Sequence, residues 1–344
     1  MRVYESYSII TQNSLIERMM DMRKKISILS MCYNEQDNIR PLYERISLVM
    51  SDFQQYDYEI IIIDNCSQDR TQDVLREIAA MDKRVKVILN AKNFGPNRSG
   101  LFAHRFVTGD CMICLASDLE DPPELINEFI TKWAQGYKMV AAIKKGGKEN
   151  IIKRAVRNIY YRVVSAISEV EEIRNFTGFG LYDMSVIRPL LKYYTSTTYI
   201  RSLISEYGYD VAYIDFVKPV RPSGRSSYNF FSYLDYAILG ITANSKVPIR
   251  IATLAGLFFS GVSLIAAIVY LIIKLLFWAN IPFGMAPLMI GLFFFSSIQL
   301  LFIGLIGEYV AAILSKVSPK PLVLVREYLN FDSEIVDEAR RDEL

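Results

Sequence analysis

Histidine is almost missing from this sequence: His104 is the only one in 344 residues, and the cysteines number four, Cys32, Cys66, Cys111 and Cys114. So few thiols cannot frame a chain of this length with disulfides, and a reducing compartment is the natural reading. Cys111-Met112-Ile113-Cys114 has redox or zinc spacing, but no second cysteine pair or histidine cluster accompanies it, so the pair reads as core packing. Charge of one sign is also lacking. Lys+Arg number 39 and Asp+Glu 37, a formal balance of +2, so the chain as a whole has no basic footprint of a nucleic-acid binder. A Gly-x-Gly-x-x-Gly turn and a Gly-x-x-x-x-Gly-Lys-Ser/Thr loop are both absent, which argues against a dinucleotide fold and a P-loop NTPase. The first 24 residues carry charges throughout and do not read as a signal peptide.

Apolar residues are plentiful, at 51% of the chain against 22% charged, and the excess lies toward the carboxyl end. Ile251 to Ile273 is uncharged; after Lys274 the uncharged stretch resumes at Leu275 and runs to Gly307. Each part exceeds the roughly 20 residues that a helix needs to cross a bilayer core. The expectation is two transmembrane helices within residues 249–314, turning near Trp278 to Gly284. Lys246 and Arg250 before the first span, and Lys316, Lys320 and Arg326 after the second, place both flanks in the cytoplasm by the positive-inside rule. The remaining divisions are an extension over 1–24, a catalytic domain over 25–228, a juxtamembrane amphipathic helix over 229–248 and a cytoplasmic tail over 315–344. Asn150 to Ser168, with Lys153, Arg154, Arg157 and Arg162 among apolar residues, reads as a basic amphipathic helix at a lipid bilayer.

Short Ile- and Val-rich runs alternate with helical spacing in the amino-terminal half. Ile26 to Met31, Tyr58 to Ile63, Val85 to Leu89 and Cys111 to Leu115 read as strands. Ile39, Leu42, Tyr43, Ile46 and Met50, and then Val74, Leu75 and Ile78, mark the intervening helices. The pattern predicts an α/β domain with a mostly parallel sheet covered on both faces. Asn34 and Glu35, Asp64 and Asn65, Asn93, and Asp118 with Asp121 each fall just past the carboxyl end of a strand, the edge where open α/β sheets bind ligands. Carboxylates there can hold Mg²⁺ or Mn²⁺, bridging to the diphosphate of a nucleotide substrate.

Five segments taken in order resemble glycosyltransferase family 2, and within it the polyisoprenyl-phosphate glycosyltransferases. They are Met31-Cys32-Tyr33-Asn34-Glu35 with Asn38, Ile63 through Thr71, Asn93-Phe94-Gly95, Ser117 through Glu124, and Arg221 through Tyr228, followed by the paired apolar stretches. The resemblance implies a GT-A (Rossmann-like) fold and inverting transfer of a sugar from a nucleotide-diphosphate sugar to a polyprenyl phosphate, undecaprenyl or dolichyl. It places Tyr33, Asn34, Glu35, Asp64, Asn65, Asn93, Ser117 and Asp118 at the nucleotide sugar, and Asp118 with Asp121 at the metal. Arg221, Arg225, Ser226 and Tyr228 fall at the acceptor phosphate, with Asp118, Arg221 and Arg225 as the catalytic set. It also implies a bacterial inner-membrane location and leaves a homo-oligomer open.

The chain departs from the family pattern at three positions. Ala116 stands where the first acid of the usual Asp-x-Asp is expected, Asn65 where the second of the usual Asp-Asp-Gly-Ser is, and Gly178 where a later segment has an acid. The last matters least to the chemistry, because a phosphate monoester with a second pKa near about 6 is already an anionic nucleophile at neutral pH. Two alternatives stay open: a catalytically weakened scaffold or lipid-phosphate-binding subunit, and a processive polysaccharide synthase. The second is disfavoured because neither Trp133 nor Trp278 follows an arginine in a Gln-x-x-Arg-Trp segment.

Overall fold

The computed structural model describes residues 23–145, 173, 175–193, 210–217, 219, 247–276, 285–317 and 321–341. The candidate acceptor residues Arg221, Arg225, Ser226 and Tyr228, the segments 150–168 and 229–246, and the turn at 278–284 lie outside them.

The expected parallel strands form and run slightly longer than the apolar runs suggest: β1 (Lys25–Cys32), β2 (Asp57–Asp64), β3 (Val85–Asn90) and β4 (Cys111–Ala116). Ile60, Ile61, Ile62 and Ile63 of β2 are wholly buried, as a strand covered on both faces requires. Helix α1 (Ile39–Met50) buries Ile39, Leu42, Ile46 and Met50, and α2 (Thr71–Met81) buries Leu75 and Ile78 with Thr71 and Ala79. That spacing of three and four residues turns one face of each helix to the sheet. Three shorter helices follow, α3 (Pro96–Ala103), α4 (Ile126–Ala134) and α5 (Met184–Ile187).

Four further strands, not foreseen in the sequence, widen the sheet: β5 (Met139–Lys144), β6 (Phe176–Asp183), β7 (Val211–Phe216) and β8 (Val325–Leu329). The order is β7-β5-β6-β4-β1-β2-β3-β8. β6 is antiparallel to both of its neighbours, β4 and β5, while β5 pairs in parallel with β7. The edge strand β8 is antiparallel to β3 and comes from the segment read as a tail. That segment groups with the sheet as one compact unit, and α8 (Ser333–Arg341) follows it.

Core apolar side chains fill both faces of the sheet. Cys111 lies in one cluster and Cys114 in the other, because residues three apart on a strand point to opposite faces. The pair therefore cannot converge on one metal. In the β5–β6 pair, a Cβ added at Gly180 would sit 2.2 Å from the Val140 carbonyl oxygen. Gly180→Ala should force the strands apart and cost about 2 kcal/mol, read as a lower melting midpoint of the detergent-solubilised protein. An unchanged midpoint would mean that this close approach is not made. Gly178, at a register irregularity in the same pair, has φ of +100°, a backbone that an L side chain rarely adopts.

The second compact unit contains two long apolar helices, α6 (Val247–Leu276) and α7 (Met285–Val317). Phe258, Ile265, Leu300 and Ile306 are exposed on them. Phe259 and Phe294 meet edge to face with ring centroids 6.2 Å apart, one contact between the two helices. Among the described residues, one window of 18, Phe294–Ala311, is long and apolar enough to cross a membrane.

Candidate active site

The register aligns the carboxyl ends of the central strands. Cys32 of β1 lies opposite Asp64 of β2, and Met31 of β1 opposite Ala116 of β4. The loops holding the expected nucleotide-binding and metal-binding residues therefore leave the sheet side by side on one rim. Asp64 and Ala116 are separated by β1 alone, roughly 10 Å at the usual strand spacing.

These residues do not all face the same way. Asp64 is wholly buried, and its carboxylate accepts from the Ser67 amide (3.0 Å), the Ser67 hydroxyl, Gln72 Nε2 (2.8 Å) and the Cys32 thiol (3.6 Å). Burial, and then the negative Asp64, push the Cys32 thiol well up, so it stays protonated and donates. Asp64 thus organises the loop that follows β2 and presents no side-chain surface of its own to a ligand. Asn65 is also buried. Its Oδ1 accepts from Ser99 Oγ (2.5 Å) and Asn90 Nδ2 (3.1 Å), tying β2 to the end of β3 and to α3. Asn90 and Ser99 were not singled out in the sequence; their only signal there is position, Asn90 closing a strand and Ser99 lying one helical turn after Gly95.

The loops after β1 and β2 are laced together. The Asn34 amide donates to Ser67 Oγ (2.8 Å) and the Gln68 amide to Asn34 Oδ1 (2.8 Å). The Glu35 amide donates to Thr71 Oγ1 (2.8 Å), which itself donates to Asp69 Oδ1 (2.5 Å). Glu35 is buried and accepts from Asn38 Nδ2 at 2.5 Å. Asn34 and Cys66 both have left-handed backbones, with φ of 58° and 62°, and these bonds hold them there. Tyr33 is half-buried and Asn34 exposed, so these two form the accessible surface of the first loop. Asn93, after β3, is exposed and accepts from the Gly95 amide (2.9 Å).

The loop after β4 is pinned at both ends. Buried Ser117 donates to the Met31 carbonyl (2.8 Å), and Asp121 Oδ2 accepts from the Ala116 amide (2.9 Å). Leu119, left-handed at φ 60°, drops its side chain into the core. Between these anchors Asp118 is half-buried, with Oδ1 accepting from the Glu120 amide (3.1 Å). Glu124, just after the loop, takes a bidentate bond from Arg45 of α1 at 2.8 and 2.6 Å. Burial pushes the Asp121 carboxyl up to about 6; the Ala116 amide opposes the rise and the Asp118 charge adds to it.

Among the described residues no group of three His, Cys, Asp or Glu side chains is placed to hold a metal ion. The donor set on this rim is Asp118, with Asp121 beside it already using one oxygen on the Ala116 amide. That suits a cation such as Mg²⁺, which takes one or two carboxylates and completes its shell with substrate phosphate and water. It does not suit an all-protein cage.

The chain matches Glycosyl transferase family 2 over residues 27–193. It is 30% identical over 309 residues to the uncharacterized glycosyltransferase YkcC of Bacillus subtilis (strain 168), covering 90% of this chain and 95% of that protein. The SfII prophage-derived bactoprenol glucosyl transferase of Shigella flexneri is 27% identical over 304 residues, 88% of this chain and 98% of its own. A looser likeness is to glucosyl-3-phosphoglycerate synthase from Mycobacterium tuberculosis, solved with Mn²⁺, uridine-diphosphate-glucose and phosphoglyceric acid. It has a TM-score of 0.42 at 16% identity, over 63% of this chain and 76% of that one.

Proposed function

Because the chain belongs to glycosyl transferase family 2, we propose that it moves a sugar from a nucleotide-diphosphate donor onto a polyprenyl phosphate, with inversion, giving a polyprenyl-phospho-sugar. The observation that carries this reading is the rim itself: Tyr33, Asn34 and Asp118 present polar surface at the carboxyl ends of adjacent parallel strands, above a buried layer that fixes their loops. The acceptor is taken from the bactoprenol glucosyl transferase, whose likeness runs beyond the α/β domain across the long apolar helices. We read α6 and α7 as a two-span membrane hairpin with the catalytic unit and both termini cytoplasmic, so that the lipid tail stays in the bilayer while its phosphate reaches the protein.

In this reading Tyr33 and Asn34 bind the nucleoside end of the donor. Glu35, Asp64, Asn65 and Ser117 hold the loops in register, and Asn93 borders the site. Asp118 lies where the diphosphate departs. A divalent cation held by Asp118, with Asp121 alongside, would neutralise the charge developing on that leaving group. The acceptor phosphate is itself the nucleophile, so the protein's task is to align it with the anomeric carbon and offset the repulsion between two anions. Arg221 and Arg225, with Ser226 and Tyr228, are assigned that task, arginine being suited to bidentate phosphate contact.

The test uses the full-length protein in detergent or nanodiscs with radiolabelled UDP- and GDP-sugars, undecaprenyl or dolichyl phosphate, and Mg²⁺ or Mn²⁺. Label should move into the lipid phase with one donor class, and the anomeric configuration of the product should be opposite to that of the donor. No transfer with any donor, with or without cation, would overturn the proposal. A binding subunit without turnover is the second reading, favoured by Ala116 at the end of β4. It predicts nucleotide binding by calorimetry in a protein inactive under all these conditions.

A further inference from the structure

Arg76 and Arg98 reach β8 or the chain entering it from the neighbouring helices, Arg326 lies on β8 itself, and the first two are spoken for. Arg76 pairs with Glu327 at 2.9 Å and with Asp73 at 3.6 Å. Arg98 donates to the carbonyl oxygens of Leu322 (2.8 Å) and Pro321 (3.0 Å), which fastens the chain entering β8 onto α3. Arg326 differs from both. It is exposed, and among the described residues no carboxylate lies within ion-pair distance of it.

Its place in the sheet is unusual as well. Leu89 pairs with Glu327 and the next residue, Asn90, with Val325, so Arg326 is the extra residue of a β-bulge. Bulges re-aim the side chain they carry and are over-represented beside active sites. Here the guanidinium reaches over the end of β3 to the loop after β2, with Nη2 3.8 Å from Cys66 Sγ. Cys66 follows Asn65, and two residues further on the Gln68 amide bonds Asn34. Arg326 therefore stands on the rim by the loops assigned above to the nucleoside end, whereas Asp118 follows β4, on the other side of β1.

We propose that Arg326 is a donor-binding residue, its guanidinium donating to the nucleoside end of the nucleotide-sugar, so that the segment after the membrane helices completes the donor site. A group with five donors and no acceptor fits the carbonyl oxygens of a base. The inference rests on the reading of the rim as a nucleotide-sugar site.

The experiment is calorimetry on the full-length, detergent-solubilised protein with UDP and GDP, and then with the monophosphate of whichever nucleoside binds. Arg326→Ala should weaken both the diphosphate and the monophosphate by roughly tenfold, the loss expected for one charge-assisted hydrogen bond. The melting midpoint and the KM for the lipid acceptor should not move. Arg326→Lys, which keeps a cation on the bulge, should recover part of the loss. If wild type binds and Arg326→Ala binds equally well, this inference fails alone; a loss seen with the diphosphate but not the monophosphate also overturns it. If wild type binds neither nucleotide, the proposed function fails and this inference with it.

Discussion

Asp118→Ala should lower turnover by about 10² to 10³-fold or more, with the fold left intact. The magnitude is that expected when a preorganised group stabilising transition-state charge is removed. Stability should hardly change, because Asp118 is half-buried and its Oδ1 contact with the Glu120 amide, at 3.1 Å, stays within its own loop. Ser117 on Met31, Asp121 on the Ala116 amide and buried Leu119 hold the loop independently of it. The informative comparison is Asp118→Asn, which keeps the shape and the amide contact but not the charge. If the charge at the departing diphosphate is what matters, Asn and Ala should fall together in kcat while their melting midpoints stay at wild type. Turnover within threefold of wild type in either variant would remove Asp118 from the chemistry.

Asp64→Asn should behave in the opposite way. A buried carboxylate that accepts from Ser67, Gln72 and Cys32 is part of the loop's framework, so its loss should lower the melting midpoint as well as donor affinity. This contrast between two aspartates at strand ends shows where the sequence stops being legible. The four central strands follow from apolar runs at Ile26, Tyr58, Val85 and Cys111, and α1 and α2 from helical spacing. The gathering of these polar residues on one rim follows as well, because they recur just after those runs. Which carboxylate faces outward does not follow. That depends on hydrogen bonds between loops distant in sequence, such as Asn34 to Ser67 and Gln68, which periodicity cannot report. β8 was hidden for a related reason. Val325 to Leu329 is short and carries Arg326 and Glu327, and its pairing with β3 joins residues more than 200 apart.

Near the amino-terminal ends of the central strands, away from the rim, lies a second buried carboxylate. Glu59 of β2 is 1% exposed and is met by Lys25 Nζ at 2.9 Å, Lys86 Nζ at 2.8 Å, Ser27 Oγ at 2.6 Å and the Thr108 amide at 3.0 Å. It thereby ties β1, β2 and β3 to the turn before β4. Burial alone would raise its pKa, but the two lysines and Ser27 outweigh that and hold it at about 2. Glu59→Ala should cost about 3–5 kcal/mol, because Lys86, whose side chain is 12% exposed, would keep a buried charge without a counter-ion. The charge linkage has a definite sign. A carboxyl held below its unfolded value stabilises the fold fully above about pH 4.5, and that contribution is lost as pH falls from there toward 2. Wild type should therefore lose melting temperature steeply on acidification through this window. Glu59→Gln should start lower at pH 7 and show a shallower decline, since it has no proton to gain. Parallel pH profiles for the two proteins would show that this network is not what acid breaks.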